Sequence, residues 1–368
     1  MLPAATTESV TTEPVTISQP RNRLRGLDTL RGLAITMVIA YHVQLHFPAP
    51  GAFGRLVHLG YNGVQLFFIV SGITMCYMWS ARRNESWETG KFLIRRLCRI
   101  APPFWFAIVF YLAWRQTGLS LLPPAGAGDV ALTALLVHGF SPHAINLVVP
   151  GGWSIAAEVG FYVLFPWLVT RLKTTPQRLW AAFAIYLACS AAAAVLLQRY
   201  AVDETVVYYS LLTQLPIFVV AMALYTTLFD GGRPPVRTLV AVGVLWMAVA
   251  IAGKALGWPT RPGLWAEVIG MLAFTAVMLK RFEWHFFAFL GRLSYSAYLF
   301  HFAVIDLLAS VLPRVGGLAD FGLGLVGVGV GTIAVAWASS RTLEAWSVDL
   351  GRHLVKQLDR SAPGQAAG

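Results

Sequence analysis

The sequence predicts an all-α protein that crosses a membrane about ten times. The first reason is composition: 57% of the 368 residues are hydrophobic and 12% are charged. Mean hydropathy is +0.63, outside the range of ordinary soluble domains. The second is that apolar runs of about 20 residues, long enough to cross a bilayer core as a helix, recur from end to end. The third is charge placement. The net charge of +11 would raise nucleic-acid binding in a soluble chain. Here cytoplasmic loops that collect Lys and Arg explain it, and no nucleic-acid partner is expected.

Residues 1–20 are rich in Thr and Pro and have no apolar core, so they do not read as a signal peptide. A disordered cytoplasmic tail is expected there, a single membrane unit over 21–350, and a cytoplasmic tail over 351–368. The spans are predicted at 29–46, 62–80, 101–116, 153–170, 179–197, 207–229, 237–255, 264–280, 293–313 and 321–340. The stretch 129–149 is apolar but broken by His138, Pro142, His143 and Asn146, and is read as re-entrant or interfacial. With this division and an inside N-terminus, 22 of the 28 Lys and Arg lie on inner segments and six on outer loops. Counting 129–149 as a span would invert every later loop against that bias. Gly327 and Gly331 stand in G-x-x-x-G register in the last span, which predicts a close helix contact. Cys76, Cys98 and Cys189 have neither metal nor disulfide spacing.

Arg31 and His42 are eleven residues apart. That is about three helical turns plus 20°, so both face the same way, with about 16 Å of rise between them. Asp28, three residues before Arg31, can pair with it. Ionisable groups within a span are costly and point to function, although an N-terminal anchor with a hydrogen-bonded His42 would look similar. Asn62, Gln65 and Ser71 add polar groups at the head of the second span, for packing or for lining a cavity. Arg95, Arg96 and Arg99 cluster in the loop before the third span. Guanidinium forks there suit phosphate, or merely obey topology. Glu158 lies four residues from both Ser154 and Tyr162, just after Trp153; it is a site carboxylate or an offset to a helix start. In the ninth span Ser294, Tyr298 and His301 form a further polar stripe. Together these segments describe a polar cavity between helices with a cationic inner mouth.

These motifs, in this order, resemble the membrane acyltransferase-3 family of bacterial O-acyltransferases. The resemblance rests on Arg31-x10-His42, G-V-Q-L-F-F-I-V-S-G, Arg96-x-x-Arg99, W-S-I-A-A-E-x-x-F-Y and S-Y-S-A-Y-L-F-H, and covers roughly residues 24–350. It implies ten spans with both termini inside, in the inner (plasma) membrane, and a compact stand-alone, exopolysaccharide-modifying type. It implies that Arg31 and His42 are an essential pair, and that Arg96 and Arg99, with Arg95 beside them, contact an acyl-CoA donor. It places Glu158 and the Trp153–Ser154 turn in the catalytic cavity. The family often carries Asp where Gln65 stands, and an acid and a Gln where Val159 and Gly160 stand.

The expected reaction is transfer of an acyl group, acetyl first of all, from acyl-CoA to a hydroxyl of a carbohydrate or lipid-linked glycan. A hydroxyl needs a base near neutral pH, and histidine matches that range. His42 is assigned that role, Glu158 and Arg31 join it as catalytic candidates, and Trp153, Ser154, Tyr162, Tyr298 and His301 are candidate substrate contacts. Acetyl-CoA enters as a substrate, with no permanently bound cofactor and no metal. A transporter of a polar or lipid-linked sugar is the rival reading, and a non-catalytic scaffold a third.

Overall fold

The computed structural model describes residues 20–82, 88–231, 262–281, 284–312 and 316–360, and isolated positions between 237 and 252. Among them there are helices, turns and no strand. In chain order the helices are α1 (Pro20–His46), α2 (Gly51–His58), α3 (Gly63–Ser80), α4 (Glu88–Trp114), α5 (Ala127–Ala134), α6 (Gly152–Arg171) and α7 (Thr175–Tyr200). They continue as α8 (Glu204–Tyr209), α9 (Leu211–Phe229), α10 (Pro262–Arg281), α11 (His285–Val311), α12 (Gly317–Ser339) and α13 (Ala345–Arg360). Seven helical stretches among the described residues are long and apolar enough to cross a membrane. The chain is thus a polytopic all-α membrane protein. α1 and α10 occupy two more of the predicted spans, while 237–255 and the tails 1–19 and 361–368 lie wholly or largely outside the described residues.

Local chemistry sets the helix ends. Thr174 caps α7 by accepting from the Gln177 amide, and the Gln177 side chain accepts from the Thr174 amide at 3.0 Å. Asp203 accepts from the Thr205 amide at 2.7 Å to start α8. The segment 127–150 does not span: it is one short helix, a 3-10 turn at His138–Phe140 and further turns. Arg115 anchors it, donating to the carbonyls of Leu147 at 2.6 Å and Val148 at 3.0 Å. The arginine-rich stretch before the third span is helix rather than loop. α4 runs unbroken from Glu88, so Arg95, Arg96 and Arg99 sit on its first turns, ahead of Pro102 and Pro103. Neither proline can donate to the preceding turn. There the Tyr295 hydroxyl from α11 donates to the Ile100 carbonyl at 2.7 Å.

The most extensive pairing is α1 against α11. It is close because two glycines meet backbone. A Cβ on Gly32 would lie 1.9 Å from the Phe287 carbonyl oxygen, and one on Gly291 1.8 Å from that of Asp28. In a bilayer such contact is how helices associate, since lipid is as apolar as Leu. The predicted Gly327 and Gly331 face side chains only, Leu308 at 3.2 Å and Val304 at 2.8 Å. After α12 a π-helical turn, Ser340–Glu344, redirects the chain into α13, which packs along the arginine-bearing half of α4 and pairs Asp359 with Lys91.

The crossing makes a prediction. Gly32→Ala or Gly291→Ala must push the two backbones apart, at a cost of about 1–3 kcal/mol or more. The thermal midpoint in detergent should fall clearly for both and much less for Gly327→Ala, whose Cβ meets only a leucine tip. Equal midpoints for the three would contradict this packing.

Candidate active site

α1, α3, α4, α6 and α11 line a polar cavity of about 90 Å³ that is partly open to the outside. It brings together most of the residues singled out in the sequence: Arg31, Arg96, Arg99, Ser154, Glu158, Tyr162 and Tyr298 all line it. Ser71 and Ser294 join them, with the aromatic rings of Phe67 and Tyr295.

The cationic end is built by α1 and α4. Arg31 donates to Asp28 at 2.9 Å, as the three-residue spacing suggests, and to the Thr74 hydroxyl of α3 at 2.8 Å. Arg96 is buried, with its guanidinium near the rings of Phe92 and Tyr162 and one Nη on the Met78 sulfur at 2.7 Å. Its Nε has no hydrogen-bond partner among the described residues. Arg99 is exposed at the mouth. Arg95 lies outside this cavity and lines a small neighbouring depression with Arg82 and Glu88.

Across the cavity stands Glu158. Its Oε1 accepts from the Tyr162 hydroxyl at 2.7 Å and from the Ser71 hydroxyl in a short bond. The carboxylate is thus held by two hydroxyls rather than by an ion pair. The first turn of α6 is fixed from two sides. Tyr298 donates to the Gly151 carbonyl at 2.9 Å and receives Ser154 Oγ at 2.8 Å. His138, buried and stacked on Phe104, donates Nε2–H to the Gly152 carbonyl at 3.0 Å. Burial lowers its pKa, because the charged form would lose water. Trp153 points elsewhere and stacks on Tyr209 at 4.6 Å between ring centres.

His42 and His301 are not on the cavity wall. They form a pair of their own at the next level, with His301 Nε2 3.2 Å from His42 Nδ1. Tyr298 is the common neighbour: it lines the cavity, and its ring lies 5.8 Å from that of His301. The proton positions follow from the acceptors, since a carbonyl can only accept. His301 Nδ1 faces the Tyr298 carbonyl at 2.8 Å, so it carries the hydrogen and leaves Nε2 as a lone pair. His42 Nδ1 faces the Val38 carbonyl at 2.9 Å and that lone pair, so it too carries the hydrogen. In the neutral imidazole the remaining lone pair of His42 is on Nε2. His301 is fully buried with both nitrogens engaged, whereas His42 is half-buried. Thr74 and Tyr295 were not singled out from sequence. Thr74 sits three residues after Ser71, on the same face of α3, which is the one available signal.

The chain matches the family described as "Acyltransferase domain" over residues 24–341. It belongs to that family and is a membrane acyltransferase, which sets aside the transporter reading. Among its relatives is the "Putative membrane-bound transacylase BcsY" of Komagataeibacter xylinus, 28% identical over 77% of this chain and 73% of that one. The "Putative peptidoglycan O-acetyltransferase YrhL" of Bacillus subtilis is 25% identical over 79% of this chain and 50% of its own length. The "Peptidoglycan O-acetyltransferase OatA" of Listeria monocytogenes is 29% identical over 42% of this chain and 25% of that protein. The chain thus spans half or less of the length of these two relatives. No solved structure matches it.

The Tyr298 contacts are testable. Tyr298→Phe removes both a donor to the buried Gly151 carbonyl and the acceptor of Ser154 Oγ, although the Ser154 amide at 3.2 Å and Oγ at 3.0 Å still reach that carbonyl, so the loss should be about 1 kcal/mol. Ser154→Ala keeps the Tyr298 donation and should cost less. Unfolding in detergent measures both, and equal losses would contradict the assigned hydrogen-bond directions.

Proposed function

We propose that the protein transfers an acyl group, acetyl in the simplest case, from acyl-CoA to a carbohydrate hydroxyl. The observation that carries the donor assignment is Arg96, a buried guanidinium with no carboxylate bound to it among the described residues, flanked in the same cavity by Arg31 and Arg99. A buried cation calls for an anion, and guanidinium forks match phosphate oxygens. The donor's phosphates would sit here, with its thioester reaching along the cavity toward Tyr298. Orientation follows the Lys and Arg bias: both termini cytoplasmic, the arginine end inside, in the plasma membrane. The acceptor class is suggested by the names of the peptidoglycan O-acetyltransferase relatives.

In this reading His42 Nε2 takes the proton of the acceptor hydroxyl as its oxygen attacks the thioester carbonyl. The tetrahedral intermediate then collapses, the C–S bond breaks, and His42 returns the proton to the departing thiolate. The Val38 carbonyl and the His301 lone pair hold the Nδ1–H throughout, keep Nε2 the basic nitrogen, and stabilise the imidazolium. Base catalysis of this kind contributes about 10²–10⁴ in rate. A second reading places the base at Glu158, because that carboxylate lines the cavity while His42 does not.

Release of free thiol from acetyl-CoA by the protein in detergent, with and without glycan, tests the activity. His42→Gln keeps a polar group but takes no proton, and should lose about 10² or more in turnover. His301→Gln should retain more, because the amide can still engage His42. A dead Glu158→Gln beside an active His42→Gln would move the base to Glu158. Arg96→Ala with Arg99→Ala should raise the KM for acetyl-CoA. An unchanged KM would remove the donor assignment.

A further inference from the structure

The approach to His42 from the side away from the arginines is lined by aromatic rings. Tyr41, next in sequence to His42, packs edge-on against His42 at 4.9 Å, His58 at 5.1 Å and Tyr61 at 6.1 Å between ring centres. A second group is joined to it through α3, where Gln65, four residues after Tyr61, donates to Tyr208. Trp153 stacks on Tyr209 at 4.6 Å and lies against Tyr208 at 5.7 Å. Tyr41, Tyr61, Tyr208 and Tyr209 are each half-buried, so the rings keep surface to offer.

Behind the second group lie two buried glutamines. Gln65 donates to the Tyr208 hydroxyl at 2.5 Å, and Gln214 donates to the Tyr208 carbonyl at 2.6 Å. Both side chains are fully buried, and the carbonyl oxygens Gln65 Oε1 and Gln214 Oε1 have no donor among the described residues. The buried Asn62 Oδ1 is in the same state. Three unsatisfied acceptors within one end of a helix bundle are costly unless something supplies hydroxyl or amide hydrogens.

We infer that this aromatic and amide vestibule is the acceptor subsite, and that its ligand is a neutral or weakly charged saccharide. A sugar ring presents apolar C–H faces that fit tyrosine and tryptophan rings, and a rim of hydroxyls that donate to carbonyl oxygens. The rim named here carries no arginine or lysine, which disfavours a phosphorylated ligand. The two approaches to the histidine pair therefore differ in chemistry: guanidinium groups for the anionic donor, aromatic rings and amide oxygens for the polyhydroxylated acceptor. Tyr41 and Tyr209 would grip the sugar, and the adjacency of Tyr41 to His42 brings a bound hydroxyl toward Nε2. This inference rests on the carbohydrate-acylation reading above.

The test is saturation-transfer NMR on the full chain in detergent, with cellotetraose and chitotetraose as probes. Ring C–H protons should receive the strongest saturation from the wild-type protein. Apparent affinity should fall by about ten-fold or more in Tyr41→Leu with Tyr209→Leu, the scale of a lost aromatic contact. Arg96→Ala should bind both probes as the wild type does. Should the double variant fail to fold, Tyr41→Leu alone, at a half-exposed position, gives the same readout. No saturation of either saccharide by the wild type, or equal saturation by the Tyr41 and Tyr209 variants, would overturn the inference. Thiol release from acetyl-CoA, measured in parallel, separates the two ideas. Release without saccharide binding refutes the vestibule and leaves acyl transfer standing; binding without release does the reverse.

Discussion

The site depends on the crossing of α1 and α11. Gly32 and Gly291 let each helix touch the other's backbone carbonyls, at Phe287 and Asp28. This crossing keeps His42 within 3.2 Å of His301 and leaves Arg31 on the cavity wall. Helix association in lipid has no hydrophobic drive, so the small residues are what make this contact deep. A Cβ at either glycine displaces the histidine pair before it touches any chemistry.

Given that crossing, the electrostatics follow from the solvent. Charge inside a bilayer is expensive and must be compensated nearby. Arg31 is compensated by Asp28 and Thr74. Glu158 is compensated by the hydroxyls of Ser71 and Tyr162, which hold it without cancelling its charge. Arg96 is the exception, resting against a thioether and two aromatic faces. An incompletely satisfied cation beside a carboxylate and a ring of hydroxyls gives the cavity a polarity that a transferred group can use. The histidines lie one layer beyond, tied to backbone carbonyls of their own helices.

Much of this was legible in the sequence because helical periodicity is a strong code in membranes. Residues three, four or seven apart share a face, and that alone links Arg31 with Asp28 and Glu158 with Tyr162, as the hydrogen bonds do. The spans were legible because the bilayer fixes their length. Less was legible where the third dimension decides. Eleven-residue spacing puts Arg31 and His42 on one face, yet about 16 Å of helical rise separates them, so Arg31 meets the cavity and His42 meets His301. Arg95 resembles Arg96 and Arg99 in sequence, but it lines only the neighbouring depression, whereas Arg96 lines both that and the cavity. The loop expected around these arginines is helix, because the charged turns of α4 are covered by α13. Nothing local in the sequence announces that cover.

His42 presents a free Nε2 lone pair because its Nδ1–H is committed to Val38 and His301. Nitrogen NMR of ring-15N-labelled histidine in lipid bilayers, with His42 assigned by His42→Gln, tests it directly. The expected result is a protonated, pyrrole-type Nδ1 and an unprotonated, pyridine-type Nε2 for the neutral His42 ring, with the Nδ1 resonance shifting in His301→Gln. A neutral His42 protonated at Nε2, or an Nδ1 resonance unaffected by the loss of His301, would contradict it.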